Sequence, residues 1–142
     1  MLTPDHVTQT TCPYCGVGCQ IDLHVKDGLI YRVNGRWDNN VKHGNLCVKG
    51  RFGFDYVHAP DRLRQPLIKA ESEIGKNEWR PVSWDTALDT VATRLRQIRD
   101  EHGPDSIAFL VSAKCTNEEN YLLQKLARAV IGTNNVDHCA RL

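Results

Sequence analysis

Four thiols restrict this chain more than any other feature. Cys12-Pro-Tyr-Cys15-Gly-Val-Gly-Cys19 sets three cysteines within eight residues, and 27 residues then separate Cys19 from Cys47. Structural zinc sites usually draw their ligands from two separated pairs. A cubane iron–sulfur cluster offers four iron corners, three of which one compact loop can reach. Gly16 and Gly18 let the loop's backbone curl around inorganic sulfide with its amides available as donors. The three-plus-one spacing therefore favours one [4Fe–4S] centre held by Cys12, Cys15, Cys19 and Cys47. A zinc site or unmetallated thiols are the alternatives that the residues alone leave open.

The remaining two cysteines, Cys115 and Cys139, stand apart. Cys139 reads as a buried thiol and Cys115 as a structural or incidental one. His58 and His138 have no ligand-like neighbours and read as ordinary turn or surface residues. Lys49 lies two residues beyond Cys47, on its side of the chain if that segment is extended. An ammonium about 5 Å from the cluster edge, at an effective dielectric of about 20, would favour one added electron by about 3 kcal/mol. That corresponds to roughly 140 mV on a one-electron couple.

At 142 residues the chain has the length of one ordinary domain, and 41% hydrophobic with 25% charged residues is a folding composition. Eighteen basic against seventeen acidic residues leave a net charge of +1 without a basic block, which argues against nucleic acid as a partner. Apolar runs such as Ile107 to Val111 are far too short to span a bilayer. Met1 to Thr11 carries no basic cluster or apolar leader, so a cytoplasmic location is expected.

Glycines divide the chain, with seven of the ten falling before Pro60. In that region Ile21, Leu23 and Val25 alternate with polar residues, and Asp27-Gly28 precedes Leu29 to Val33. This pattern predicts a hairpin of strands 20–26 and 29–34. Gly50 to Val57 predicts a short helix, and residues 60–82 read as irregular. Beyond them Trp84, Leu88, Val91, Leu95 and Ile98 recur on one helical face, with Ser83 as N-cap and Gly103-Pro104 as the stop. Ile107 to Val111 fits a buried parallel strand, and Asn117 is placed to cap a helix that Gly132 ends. The predicted fold is an α+β iron–sulfur subdomain with a small antiparallel sheet (1–60), followed by the start of an incomplete α/β, Rossmann-like layer (61–142). One convincing strand is too little to cover two apolar helix faces, so the isolated chain is expected to aggregate or be partly molten.

Several ordered segments carry a resemblance. Cys12 to Cys19, Gly44-Asn-Leu-Cys47-Val-Lys49-Gly-Arg-Phe-Gly, Pro60-Asp-Arg-Leu-Arg-Gln-Pro-Leu, Trp79-Arg-Pro-Val-Ser-Trp-Asp, and Ser112 through Leu142 are similar to the catalytic subunit of molybdenum- or tungsten-dependent formate dehydrogenases. The resemblance implies that Cys12, Cys15, Cys19 and Cys47 ligate the cluster, and that Lys49 stands between it and one pterin. It implies bis-molybdopterin guanine dinucleotide around the metal, formate oxidised to carbon dioxide, and electrons leaving singly through pterin and cluster to an acceptor. The partners it implies are the rest of a catalytic chain or an electron-transfer subunit, with formate bound only by the complete enzyme.

Members of that family are several times longer. In them the segment like Asn134 to Leu142 precedes the selenocysteine or cysteine that ligates the metal, which would be position 143. The expectation is an N-terminal part of a selenoprotein, ending at a UGA codon that should be read through. No residue present is assigned a catalytic role, and Cys139 falls four places too early to be the metal ligand. Two other readings stay open: a stand-alone iron–sulfur electron-transfer module, and a related molybdopterin oxidoreductase such as a nitrate reductase.

Overall fold

A computed structural model of the protein describes residues 2–38, 42–69 and 78–139. Its contacts divide it into two compact units, more than the single core that the length suggests. One joins Met1–Arg62 with Phe109–Lys125 and Val136–Leu142; the other joins Leu63–Ala108 with Leu126–Asn135.

The first unit is built on an antiparallel sheet in the order β1 (His6–Thr11), β2 (Gln20–Lys26), β3 (Leu29–Gly35). The hairpin stands where the alternation puts it. Asp27 and Gly28 both have positive φ, 51° and 76°, as a two-residue turn matching the strand twist requires. Asp5 clamps this turn, its carboxylate accepting from the Asp27 amide at 2.7 Å. Val25 pairs with Ile30 and His24 with Arg32, so Tyr31 is the extra residue of a bulge. The strand β1 was not legible, because His-Val-Thr-Gln-Thr-Thr is exposed throughout and shows no apolar alternation.

The core of this unit is Ile21, Val33 and Cys12, with Tyr14, Cys19, Leu23, Ile30, Leu46 and Phe54 packed against it. One motif thiol, Cys12, thus belongs to the hydrophobic core itself, and a second, Cys19, packs against it. The expected helix over 50–57 is instead α1 (Val48–Phe52) followed by a 3-10 turn (Asp55–His58), the chain breaking helical geometry at Gly53. The carboxyl end of the unit is a parallel pair, β6 (Phe109–Ser112) and β7 (Val136–Cys139), joined through α3 (Asn117–Lys125). β6 starts two residues later than its apolar run because a 3-10 turn at Pro104–Ser106 takes up Ile107, whose amide donates to the Pro104 carbonyl at 3.2 Å. β7 supplies a second strand that the sequence reading lacked; Val-Asp-His-Cys is too short and polar to announce one.

In the second unit, β4 (Leu67–Lys69) and β5 (Trp79–Pro81) form a small antiparallel pair within the stretch read as irregular. Each is three residues long, below the length at which alternation carries information. Helix α2 (Trp84–His102) matches its sequence signals closely. Ser83 Oγ accepts the Thr86 amide at 3.1 Å, and Gly103 closes the helix with φ 84°. Its last turn faces a π-turn, Leu126–Ile131, whose wide geometry is marked by Gly132 donating to the Ala127 carbonyl at 2.9 Å.

Candidate metal centre and comparison with known proteins

The cysteine loop closes on itself: the Cys12 amide donates to the Cys19 carbonyl at 2.8 Å, at the mouth of the hairpin. Cys12 is buried, Cys15 and Cys19 are half-buried and Cys47 is exposed. Cys47 precedes the first turn of α1 with extended backbone, φ −71° and ψ 168°. Lys49 is therefore in the helix rather than on an extended strand, which corrects the expected geometry while keeping the ammonium beside Cys47.

Burial and neighbouring charges act differently on three of the four thiols. Burial pushes the Cys12 thiol up, the amide of Tyr14 opposes this, and the charges of Cys19, Cys15 and Cys47 raise it further. Cys19 is raised by burial and by Cys15, with Lys42 acting in the opposite sense. Cys47 is held below its ordinary value by the Gly50 amide, then by the Lys49 amide and ammonium. Cys12 and Cys19 thus both lie within reach of the Cys15 and Cys47 charges. Yet among the described residues no three Cys, His, Asp or Glu side chains close on a common point as a single ion requires. Three thiols on one closed loop and a fourth at the start of α1 is the three-plus-one arrangement that the four corners of a cubane accept.

Two glycines keep the site open to close packing. A Cβ on Gly50 would stand 3.3 Å from the Cys12 sulfur, and one on Gly53 would meet the Tyr14 hydroxyl at 2.6 Å. Tyr14, inside the cysteine motif, donates its hydroxyl to the Gly53 carbonyl. Gly53 in turn donates to Lys49 at 2.8 Å. The loop with three thiols is thus braced to the helix that follows the fourth.

Several other residues depart from their sequence readings. His58 is not an idle turn residue, since its Nε2 accepts the Ile30 amide at 2.9 Å and satisfies the bulged strand β3. Cys139 is exposed at the end of β7, not buried. Cys115 is half-buried in the loop after β6. Asn117 does not cap α3. Thr116 and Glu119 form a reciprocal capping box, with Thr116 N to Glu119 Oε2 at 2.7 Å and Glu119 N to Thr116 Oγ1 at 3.3 Å. The T-x-x-E signature was the available signal. Position 143 and residues 140–142 lie outside the described residues.

Sheet, cysteine loop and parallel pair define a class: an iron–sulfur-type domain leading into an α/β layer. The description "Molybdopterin oxidoreductase Fe4S4 domain" matches residues 5–59, and "Molybdopterin oxidoreductase" matches residues 62–142. The chain belongs to the molybdopterin oxidoreductase family. It is 46% identical over 141 residues to the F420-dependent formate dehydrogenase 2 subunit alpha of Methanococcus maripaludis, covering 99% of this chain and 20% of that one. It is 46% identical over 134 residues to the probable oxidoreductase YjgC of Bacillus subtilis, covering 94% and 13%. Acetylene hydratase from Pelobacter acetylenicus superposes with a TM-score of 0.73 at 26% identity, over 92% of this chain and 18% of that chain. The chain spans 13% to 20% of the length of these curated relatives. Among the described residues no helix is long and apolar enough to cross a membrane.

Proposed function

We propose that Cys12, Cys15, Cys19 and Cys47 hold one [4Fe–4S] cluster that carries electrons, one at a time, between a molybdenum- or tungsten-pterin site and an acceptor. The observation that carries this reading is the Cys12–Cys19 loop, closed by its own backbone hydrogen bond inside the segment 5–59 that the Fe4S4 domain description matches, with Cys47 at the start of α1. When bound, the cluster supplies a one-electron couple. The chain's own residues do the rest: Cys12 and Cys19 anchor the site in the core, Gly50 admits the Cys12 sulfur, and Tyr14 fixes the loop against α1. Lys49, exposed beside Cys47, places a positive charge where an added electron would be stabilised.

The pterin cofactor is supported by the family. For it this chain offers the carboxyl edge of β6 and β7, the place where open α/β sheets receive ligands. Formate is the proposed substrate of the complete protein, with other subunits as its electron partners. The formate dehydrogenase alpha subunit similar over 99% of this chain supports that choice. A hydratase and an oxidoreductase of unspecified substrate share the same segment, so the substrate is decided outside it. Formate-dependent dye reduction by the protein, lost on Cys12→Ser while the molybdenum or tungsten content stays unchanged, is the expected result. Undiminished activity with an acceptor dye that must draw its electrons through the cluster would refute the relay.

A further inference from the structure

Gly16 and Gly18 are glycines for different reasons. Gly18 has φ 71° with open space around it, so its backbone alone demands glycine. Gly16 has no positive φ, and what excludes a side chain there is Asn117: a Cβ would fall 2.7 Å from Asn117 Oδ1. From the same amide, Nδ2 donates to the Gly16 carbonyl at 2.7 Å, across 101 residues of sequence. Both atoms lie in the first compact unit.

Asn117 is itself delivered by a fixed frame. The Thr116–Glu119 box sets the start of α3, and Asn120 Nδ2 holds the loop by donating to the Ser112 and Thr116 carbonyls at 3.1 and 3.2 Å. The Cys115 carbonyl lies 3.9 Å from where a Gly16 Cβ would be, so this loop rests on the cysteine motif. The peptide joining Gly16 to Val17 carries the carbonyl that Asn117 binds and, at its other end, the Val17 amide. Among the described residues that amide donates to no backbone carbonyl. A hydrogen bond accepted by one end of a peptide strengthens the donor at its other end.

We propose that Asn117 is a positioning residue for the proposed cluster. It fixes the Cys15–Cys19 loop through the Gly16 carbonyl and polarises the Val17 amide as a donor to the cluster's sulfur. This rests on the cluster reading above, and deepens it by tying the cluster's behaviour to the start of α3.

The test compares the wild-type chain with Asn117→Ala, Gly16→Ala and the double variant, each reconstituted anaerobically with iron and sulfide. Asn117→Ala should release its cluster to a chelator about three- to tenfold faster, the range expected for losing one hydrogen bond. Its reduction equilibrium should shift about three- to tenfold toward the oxidised form, because a weaker donor stabilises the reduced cluster less. Gly16→Ala, whose methyl displaces the Asn117 amide, should match it, and the double variant should be no worse than either single one. Faster release with an unchanged midpoint potential would reduce Asn117 to a structural prop and overturn the proposal. Additive losses in the double variant would overturn the Gly16–Asn117 contact. A wild-type chain that binds no iron or sulfide would instead bring down the cluster reading.

Discussion

The β1–β3 sheet closes around Ile21 and Val33, 4% and 3% exposed, whereas α2 leaves Trp84, Leu88 and Val91 at 66%, 60% and 56%. Both regions carry strong patterns, and both form the elements those patterns call for. They differ in what completes them. Around the cysteine motif the partners are local: the hairpin, Cys12, Tyr14 and Cys19 of the loop, and Leu46 and Phe54 flanking α1 fill one core. Along the apolar face of α2 the π-turn leaves an open groove of about 330 Å3 lined by Leu88, Val91, Leu95, Leu126 and Val130. Periodicity specifies that a helix exists and which face is apolar. It does not specify what covers that face.

The largest expected effect falls on the cysteine side. Cys12→Ser removes a core member as well as a proposed ligand, and should abolish stoichiometric iron binding. Because metal binding and folding are coupled there, chelation of the wild type should loosen the same region, read as lost protection of β1–β3 amides from hydrogen exchange. Equal protection in the apo and loaded chain would remove that coupling.

A truncation pair sharpens the contrast. Ile21→Ala should cost about 2–4 kcal/mol in denaturant unfolding, as expected for a well-packed buried position. Leu88→Ala should cost less than about 1 kcal/mol. Replacing Leu88 with Lys should also reduce self-association of the isolated chain, seen by light scattering. A sharp two-state transition in a monomeric wild-type chain, or equal costs at the two sites, would break the comparison.

Lys49→Gln should make the proposed cluster harder to reduce. Lys49 is exposed and screened, so tens of millivolts is the expected shift, below the roughly 140 mV of an unscreened pair. An unmoved potential would leave Lys49 without influence on the cluster.

Legibility followed the range of the interaction. The Asp27-Gly28 turn, the Ser83 cap and the Gly103 stop were readable because each is decided within a few residues. The Cys12–Cys19 loop stood out because three thiols fall within eight residues. β1 and β7 were not, since polar strands are recruited by a neighbour's free edge and not by their own pattern. Asn117 was assigned to a cap because only its local role could be read; its partner Gly16 is remote in sequence. Lys49 was placed on an extended segment because a five-residue helix leaves no periodicity.

The smallest effect concerns the clamp on the hairpin turn. The Asp27 amide, and then Lys26, hold the Asp5 carboxyl below its ordinary value. Its folded pKa is thus below the unfolded one. The resulting stabilisation is present above about pH 4 and is lost as pH falls through the folded value. Asp5→Asn should therefore lower stability slightly at neutral pH, leave it unchanged at the acid end, and so flatten the limb between them; an identical acid limb would remove Asp5 from the account.

The central claim is that four separated thiols share one polynuclear centre, and anaerobic reconstitution followed by metal and sulfide analysis tests it most directly. The account predicts about four iron and about four sulfide per chain, with a paramagnetic signal appearing on one-electron reduction. One zinc per chain without sulfide, or no bound iron, would contradict it.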